Sequence, residues 1–202
     1  MSVVDLADVT WLDVRHGASV APSGETLSSD EHARARRYLH ARDRDRFIVR
    51  RGELRRLLAK RLGCAPARVP LARTTWGKPF VPGSSVRFSV SHSHDLAMFA
   101  IAEGIEIGCD IERADPALAT QAVAERVFTE ACLQVLASTP TELWIERFYE
   151  YWTLLEAELK AAGSGFVGPT VQAGGTSGSI TKFFRPASGY FASVVVVGSS
   201  NH

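Results

Sequence analysis

Two long stretches of helical period and several short alternating runs organise this chain. From 43 to 62, Phe47, Leu54, Leu58 and Leu62 recur along one stripe, and Gly63 stops the run. From about 142 to 162, Trp144, Phe148, Tyr151, Leu155 and Leu159 make a second stripe, ended by Gly163. Ser28 and Glu31 have the spacing of a capping box that opens a helix ahead of the first stripe. A further helical stretch is predicted at about 117–137, with Thr129 capping a break in it. Between these, 86–90, 96–102 and 105–111 are short, β-rich and bounded by turn signals such as Pro82-Gly83 and Glu103-Gly104, so they read as strands. Residues 1–15 alternate loosely and read as a strand, followed by a Gly-, Pro- and Ser-rich loop through Ser29. The tail is turn-rich around strands near Val171, at 180–185 and at 190–197. The pattern is α+β with a division near Glu103-Gly104, which separates residues 1–103 from 104–202. It contains no visible sequence repeat.

Composition adds little until it is split at that division. The 202 residues are 46% hydrophobic and 22% charged, with a formal net charge of +1. That composition excludes a disordered tail, a collagen-like repeat and a disulfide-stapled miniprotein. Residues 1–103 hold 17 Lys and Arg against 11 Asp and Glu, a balance of +6; residues 104–202 hold 6 against 11, or −5. One half suits an anion and the other a cation. No apolar run is long enough for a transmembrane helix. Acids near the N-terminus argue against a signal peptide, and three scattered cysteines fit reduced thiols, so a cytoplasmic location is expected. The spacings of zinc sites, CxxC and HExxH, do not occur.

The strand at 105–111 carries the first candidate chemistry. Alternation puts Ile105, Ile107, Cys109 and Ile111 on one face and Glu106, Gly108, Asp110 and Glu112 on the other. Asp110 and Glu112 then lie roughly 7 Å apart at Cα, and they repel unless a cation or water separates them. A solvated edge face is the plain explanation. Gly108 beside the pair favours something approaching the backbone. On the last long helix, Trp152, Glu156 and Lys160 follow one another at i, i+4 and i+8, a spacing that also fits an ordinary surface ion pair. A third carboxylate beside the strand pair completes an oxygen-rich site for Mg²⁺, shared with phosphate oxygens and water.

A third cluster joins Arg73, Gly77 and Lys78 to the segment Ser89-Val90-Ser91-His92-Ser93-His94. Cations beside a Gly turn suit phosphate, and the hydroxyls and imidazole can donate to its oxygens. A metal at His92 and His94 lacks further His or Cys ligands nearby. A Ser91, His92, Asp95 hydrolase is disfavoured because a nucleophile and its base rarely meet as sequence neighbours.

Taken in order, these segments resemble the 4′-phosphopantetheinyl transferases, specifically the large monomeric surfactin-synthetase-activating type. The resemblance runs from about Ser28 to Phe166 through the Arg-rich helix, Gly77-Lys-Pro79, Phe88-Ser-Val-Ser-His-Ser93, Ile107-Gly-Cys-Asp-Ile-Glu112, Phe128-Thr-x-x-Cys132 and Trp152-Thr-x-x-Glu-Ala-x-x-Lys160. It implies a pseudo-symmetric monomer of two similar halves, each with a small antiparallel sheet and helices, and coenzyme A between them. It further implies transfer of the phosphopantetheine arm of CoA to a serine of an apo acyl or peptidyl carrier protein, releasing 3′,5′-ADP, in fatty-acid, polyketide or nonribosomal-peptide synthesis. Asp110, Glu112 and Glu156 are then the ligands of Mg²⁺, with Mn²⁺ as an alternative. Arg34, Arg73, Lys78, Ser91, His92 and Lys160 contact the CoA phosphates, and Glu156 and Lys160 assist transfer. The family commonly has Lys where this chain has Leu155, which implies weaker CoA binding. The carrier is expected near 113–150, where Phe128, Leu133 and Leu136 read first as core. The competing readings are a CoA- or nucleotide-binding protein without catalysis and a metal-dependent nucleic-acid phosphodiesterase. The acidic C-terminal half speaks against nucleic acid.

Overall fold

The structure is a computed structural model and describes residues 7–14, 26–163 and 179–197. The strand expected near Val171 lies outside the described residues, as does most of the loop after the first strand. The N-terminal half begins with β1 (Ala7–Asp13), then α1 (Ser29–Ala35) and α2 (Ala41–Leu62). A 3₁₀ turn at Pro66–Arg68 leads to the small hairpin β2 (Ala72–Arg73) and β3 (Pro79–Phe80), then to β4 (Val86–Ser93) and β5 (Leu96–Glu103). The C-terminal half repeats this plan with β6 (Glu106–Arg113), α3 (Gln121–Val127), α4 (Glu130–Ser138), α5 (Thr141–Ala162), β7 (Ser179–Phe184) and β8 (Tyr190–Val197).

The repetition is topological. One three-stranded antiparallel sheet has the order β1-β5-β4 and the other β6-β8-β7, so in each the first strand pairs with the last and the last with the middle one. Each half carries one 22-residue helix ended by a left-handed glycine, Gly63 in one and Gly163 in the other. This is the mixed α+β architecture that the sequence pattern implies, with the two similar halves that the family resemblance implies, although the repeat cannot be seen in the residues themselves.

Burial explains the layering. In β5 every residue from Leu96 to Ala102 is buried, because both faces of its sheet are covered. Ala97, Phe99 and Ile101 pack with Phe88, Leu54 and Leu58, which places α2 on the outer face. Leu96, Met98 and Ala100 pack with Ile107, Cys109, Ile111 and Val194, so the two sheets meet face to face. Helix α5 covers the far face of the second sheet through Leu154, Ala157 and Ala161 on Val195. The layers run α2, sheet, sheet, α5. Among the described residues no helix is long and apolar enough to cross a membrane.

Several expected boundaries shift. α2 begins two residues earlier than the apolar stripe, and β4 continues through Ser93. The stretch expected at 117–137 is two helices, α3 and α4, divided at Phe128 and Thr129 as its break predicted, with Thr120 capping the first. Phe128 and Leu136 are core, 5% and 1% exposed, and Phe128 meets Phe148 edge-on. The short hairpin β2–β3 leaves too little apolar pattern to be read from sequence.

Gly108 receives a different explanation from the one its neighbourhood suggests. What approaches its backbone is helix α5: a Cβ here would lie 1.8 Å from the Ala157 carbonyl oxygen and 2.5 Å from the Ala161 nitrogen. Glycine on the strand and alanines on the helix let the two backbones touch, and that fixes the height of α5 above β6. Gly108→Ala has no flexible neighbour to displace and must push α5 outward. Overpacking of this kind costs about 1–3 kcal/mol or more. Urea or thermal denaturation of Gly108→Ala is expected to report a loss of at least that size.

Candidate active site

The close contact at Gly108 sets α5 so that Lys160 stands over Asp110. Lys160 Nζ donates to Asp110 Oδ1 at 2.6 Å and to Ser91 Oγ at 3.0 Å, and Ser91 in turn donates to the same Oδ1 at 2.6 Å. Asp110 is 2% exposed, which rules out the solvated edge face. Its second oxygen, Oδ2, is buried without a hydrogen-bond partner. Unsatisfied buried carboxylate oxygens are costly, and this one is an open acceptor for a cation.

Strand β4 supplies the other wall. Its residues Arg87, Ser89, Ser91 and Ser93 contact β6 at offsets of 19 or 20 residues. Arg87 Nε donates to Glu106 Oε1 at 2.8 Å, and Cys109 N–H donates to Ser89 Oγ at 3.0 Å. Ser91 meets Asp110, and Ser93 Oγ donates to Glu112 Oε2 at 2.7 Å while accepting from Arg113 N–H at 3.1 Å. β6 is an edge strand, and these hydroxyls satisfy backbone donors that no neighbouring strand takes. The open edge of β6 is therefore lined by the other half of the molecule, while α5 covers the face that carries Gly108 and Asp110.

Electrostatics show what this arrangement lacks. Burial pushes the Glu112 carboxyl above its ordinary pKa, with Asp110 and Glu156 adding repulsion while Ser93 and Lys160 oppose it. Burial and Asp110 likewise raise Glu156, again against Lys160. Burial alone would lower Lys160, but Asp110, Cys109 and Glu156 hold its ammonium above the usual range. Three carboxylates share the field of one lysine. No three described His, Cys, Asp or Glu side chains stand close enough to enclose a metal by themselves. The donor set nonetheless fits a hard divalent cation that takes its remaining oxygens from a ligand: an orphaned Asp110 Oδ2 and two carboxyls destabilised by like charge.

Beside the carboxylates lies a cleft of about 420 Å³ bordered by Trp76, Lys78, Pro79, Val90, Glu156 and Lys160. Lys78 spans its edge, donating to Glu106 Oε2 and to the Ala161 carbonyl, both at 2.7 Å. A second cleft of about 350 Å³ shares the Pro79 and Val90 wall and is lined by Arg34, Arg50, Arg51, Arg73 and His92. The phosphate-binding candidates are thus divided: Arg34, Arg73 and His92 line one cleft, Lys78 and Lys160 the other. Ser91 is hydrogen-bonded to Asp110 and Lys160 beside them. Arg50 and Arg51 were not singled out by sequence. Burial lowers the pKa of both, and neighbouring arginines lower it further, Arg46 and Arg34 for Arg50, Arg55, Arg73 and Arg34 for Arg51. Crowded cations in a cleft are the counterpart of an anion.

Leu155, the departure from the expected lysine, is 3% exposed and packs with Phe128, Phe148 and Tyr151. Core packing explains it. The described residues offer no activated thiol at the site: Cys109 is fully buried, and burial lifts its pKa to about 11.

Comparison with known proteins agrees with this geometry. The profile described as the 4′-phosphopantetheinyl transferase superfamily matches residues 106–175, and that described as 4′-phosphopantetheinyl transferase, N-terminal, matches residues 11–104. The chain belongs to the 4′-phosphopantetheinyl transferase superfamily. It is 39% identical over 144 residues to the 4′-phosphopantetheinyl transferase HetI of Nostoc sp., an alignment covering 69% of this chain and 61% of that protein. A phosphopantetheinyl transferase of Thraustochytrium sp. is 32% identical over 170 residues, covering 74% and 57%. The 4′-phosphopantetheinyl transferase of Bacillus subtilis is 29% identical over 140 residues, covering 69% and 61%. The chain spans about three-fifths of the length of these relatives.

Glu31 joins the basic cleft of this transferase-family chain to its core. It completes the expected capping box with Ser28, and also binds Arg55 Nε and pairs with Arg51 Nε at 2.6 Å. Burial alone would raise its pKa; the hydrogen bonds from Arg55 and Ser28 N–H, with Arg51 alongside, hold it below the usual range. A carboxylate with a depressed folded pKa stabilises fully above its unfolded value of about 4.3, and that contribution is lost as pH falls through the folded value. Glu31→Gln is therefore expected to destabilise the protein at pH 7, by up to roughly 3–5 kcal/mol for a broken buried pair. The difference from the parent should shrink below about pH 4.3, as followed by thermal melts across pH.

Proposed function

We propose that this chain transfers the 4′-phosphopantetheine moiety of coenzyme A to a serine of an apo acyl or peptidyl carrier protein, in the manner of the surfactin-synthetase-activating transferases. The observation that carries this reading is the shared wall of Pro79 and Val90. It sets an arginine-lined cleft beside a carboxylate cluster roofed by a lysine. A ligand with a phosphate-rich head and a reacting pyrophosphate fits that pair of sites. Membership in the family supports the same substrate.

In this reading residues 1–103 bind the phosphates and residues 104–202 hold the metal and the chemistry. Arg34, Arg73 and His92, with Arg50 and Arg51, take the adenosine phosphate, and Lys78 reaches the pyrophosphate by exchanging Glu106. Asp110, Glu112 and Glu156 hold Mg²⁺ or Mn²⁺, which when bound neutralises pyrophosphate charge. The carrier serine Oγ attacks the phosphorus bearing the pantetheine arm, and the P–O bond to the nucleotide breaks. The electron pair leaves on 3′,5′-ADP. Glu156 takes the serine proton. Lys160 stabilises charge on the transferring phosphoryl oxygens. Ser91 contributes by fixing Asp110 and Lys160. The reaction needs no protein nucleophile. We place the protein in the cytoplasm as a monomer that meets its carrier along 113–150. Leu118 and Leu143, 60% and 49% exposed, offer apolar contact there where Phe128 and Leu136 do not.

The test is incubation with CoA, Mg²⁺ and apo carriers of acyl and peptidyl type, followed by intact-protein mass spectrometry. The carrier should gain one phosphopantetheine; CoA that binds and stays intact with every carrier would establish a binding protein instead. Asp110→Ala and Glu156→Ala are expected to abolish transfer, and Lys160→Ala to lower kcat strongly. Near-normal rates in the first two would remove the metal assignment.

A further inference from the structure

Ser93 stands at the end of the hydroxyl row on β4, and its hydrogen bonding differs from that of its neighbours. It is 8% exposed. Arg113 N–H donates to its oxygen at 3.1 Å, and Ser93 itself donates to Glu112 Oε2 at 2.7 Å. A hydroxyl has one proton, and with Arg113 N–H donating to its oxygen that proton goes to Glu112, much the nearer acceptor at 2.7 Å against 3.4 Å for His94 Nδ1. Glu112 is held by one oxygen, and none of the hydrogen bonds among the described residues uses Oε1.

The backbone carrying Ser93 is itself pinned. The β4–β5 connection is His94-Asp95, and His94 has φ 48°, the positive value that most side chains avoid. Its Nδ1 lies 3.4 Å from Ser93 Oγ. Val14 N–H donates to the Asp95 carbonyl at 2.8 Å, Asp95 N–H donates to the Tyr190 hydroxyl at 3.3 Å, and Arg46 pairs with the Asp95 carboxylate. The turn is tied to β1, α2 and β8, so the Ser93 hydroxyl cannot drift without moving three elements.

We propose that Ser93 is the positioning residue of Glu112: it fixes one carboxylate oxygen across the seam between the halves, so that the other faces the cation shared with Asp110 and Glu156. This rests on the metal-site reading above. Ser89 provides a matched comparison. It is buried in the same row and accepts from Cys109 N–H, but it touches no carboxylate.

The experiment titrates Mn²⁺ into the full chain with saturating CoA and no carrier, reading free Mn²⁺ by its EPR signal against CoA alone. Loss of an outer hydrogen bond to a ligating carboxylate is expected to weaken Mn²⁺ binding roughly 10-fold or more in Ser93→Ala. Ser93→Thr, which keeps the hydroxyl, should recover most of it. If Ser93→Ala does not fold, Ser93→Cys takes its place, with a thiol too weak a donor to hold the carboxylate. Parent-like Mn²⁺ affinity in the folded Ala or Cys variant overturns the proposal. Equal weakening in Ser93→Thr overturns it too, because the effect then does not come from the hydroxyl. A parent chain that binds no more Mn²⁺ than the CoA blank overturns the metal reading itself, a result distinct from the failure of Ser93.

Discussion

The burial of Asp110 is the constraint around which both halves are arranged. A carboxylate 2% exposed must find its partners inside the protein, and it finds them on opposite sides. Ser91 comes from β4 of the first half, and Lys160 comes from α5 of the second. Neither half alone supplies both. The contact also depends on height: only a glycine at 108 lets Ala157 and Ala161 settle onto β6, and only then does Lys160, one turn beyond Ala157, stand above the acid. Packing, pairing and the placement of Glu156 are one problem with one solution.

The pseudo-symmetry gives that solution its economy of parts. Each half offers the same frame, a three-stranded sheet with one long helix on its outer face, and the inner faces of the two sheets form a shared apolar core. Along the edges where β4 and β6 run side by side, the apolar contact gives way to a polar ladder. Hydroxyls serve there where larger groups cannot fit, since each can accept from a backbone N–H and donate to a carboxylate at once. The ladder ends in ion pairs at Glu106, where Arg87 and Lys78 converge, and burial of that carboxylate is outweighed by the two cations. The seam is therefore polar throughout yet satisfied at most positions, with Asp110 Oδ2 the conspicuous exception.

Much of this was legible in the residues. The two long helices, their glycine stops, the capping box at Ser28 and the break at Thr129 follow from local chemistry, and the structure places them within a few residues. The pairing of Asp110 with Glu112 on β6, and of Glu156 with Lys160 on α5, was also legible, because alternation and a four-residue period are reliable within an element; the family resemblance, not the periodicity, brought the two pairs together. What failed was the relation between elements. Gly108 announces a close approach to its backbone, but only the packing shows that the neighbour is a helix fifty residues away in sequence. The Ser91 hydroxyl meets Asp110 and Lys160, contacts that only tertiary packing creates. Arg50 and Arg51 were indistinguishable from the rest of an arginine-rich helix until burial separated them from exposed neighbours such as Arg42 and Arg44. The offset of 19 or 20 residues between β4 and β6 was present in the numbering all along, but it has no meaning until the two strands are known to lie side by side.

The charge split gains a physical meaning from this arrangement. Most of the positive excess before Gly104 does not face the acids after it. Arg55 is spent on Glu31 and on the carbonyls of Pro66 and Val69, and Arg56 pairs with Glu53 along the surface of α2. Arg34, Arg50 and Arg73 gather in the second cleft, beside the imidazole of His92. The acids left over gather at Glu112 and Glu156. These two surpluses do not neutralise each other, because the Pro79 and Val90 wall stands between them. Direct pairing across that wall would close both clefts and leave no field at either. Kept apart, each surplus can be relieved only by something brought in: an anion on one side and a cation on the other. A ligand whose phosphates reach over the wall relieves both at once, which ties the binding of the anion to the binding of the cation.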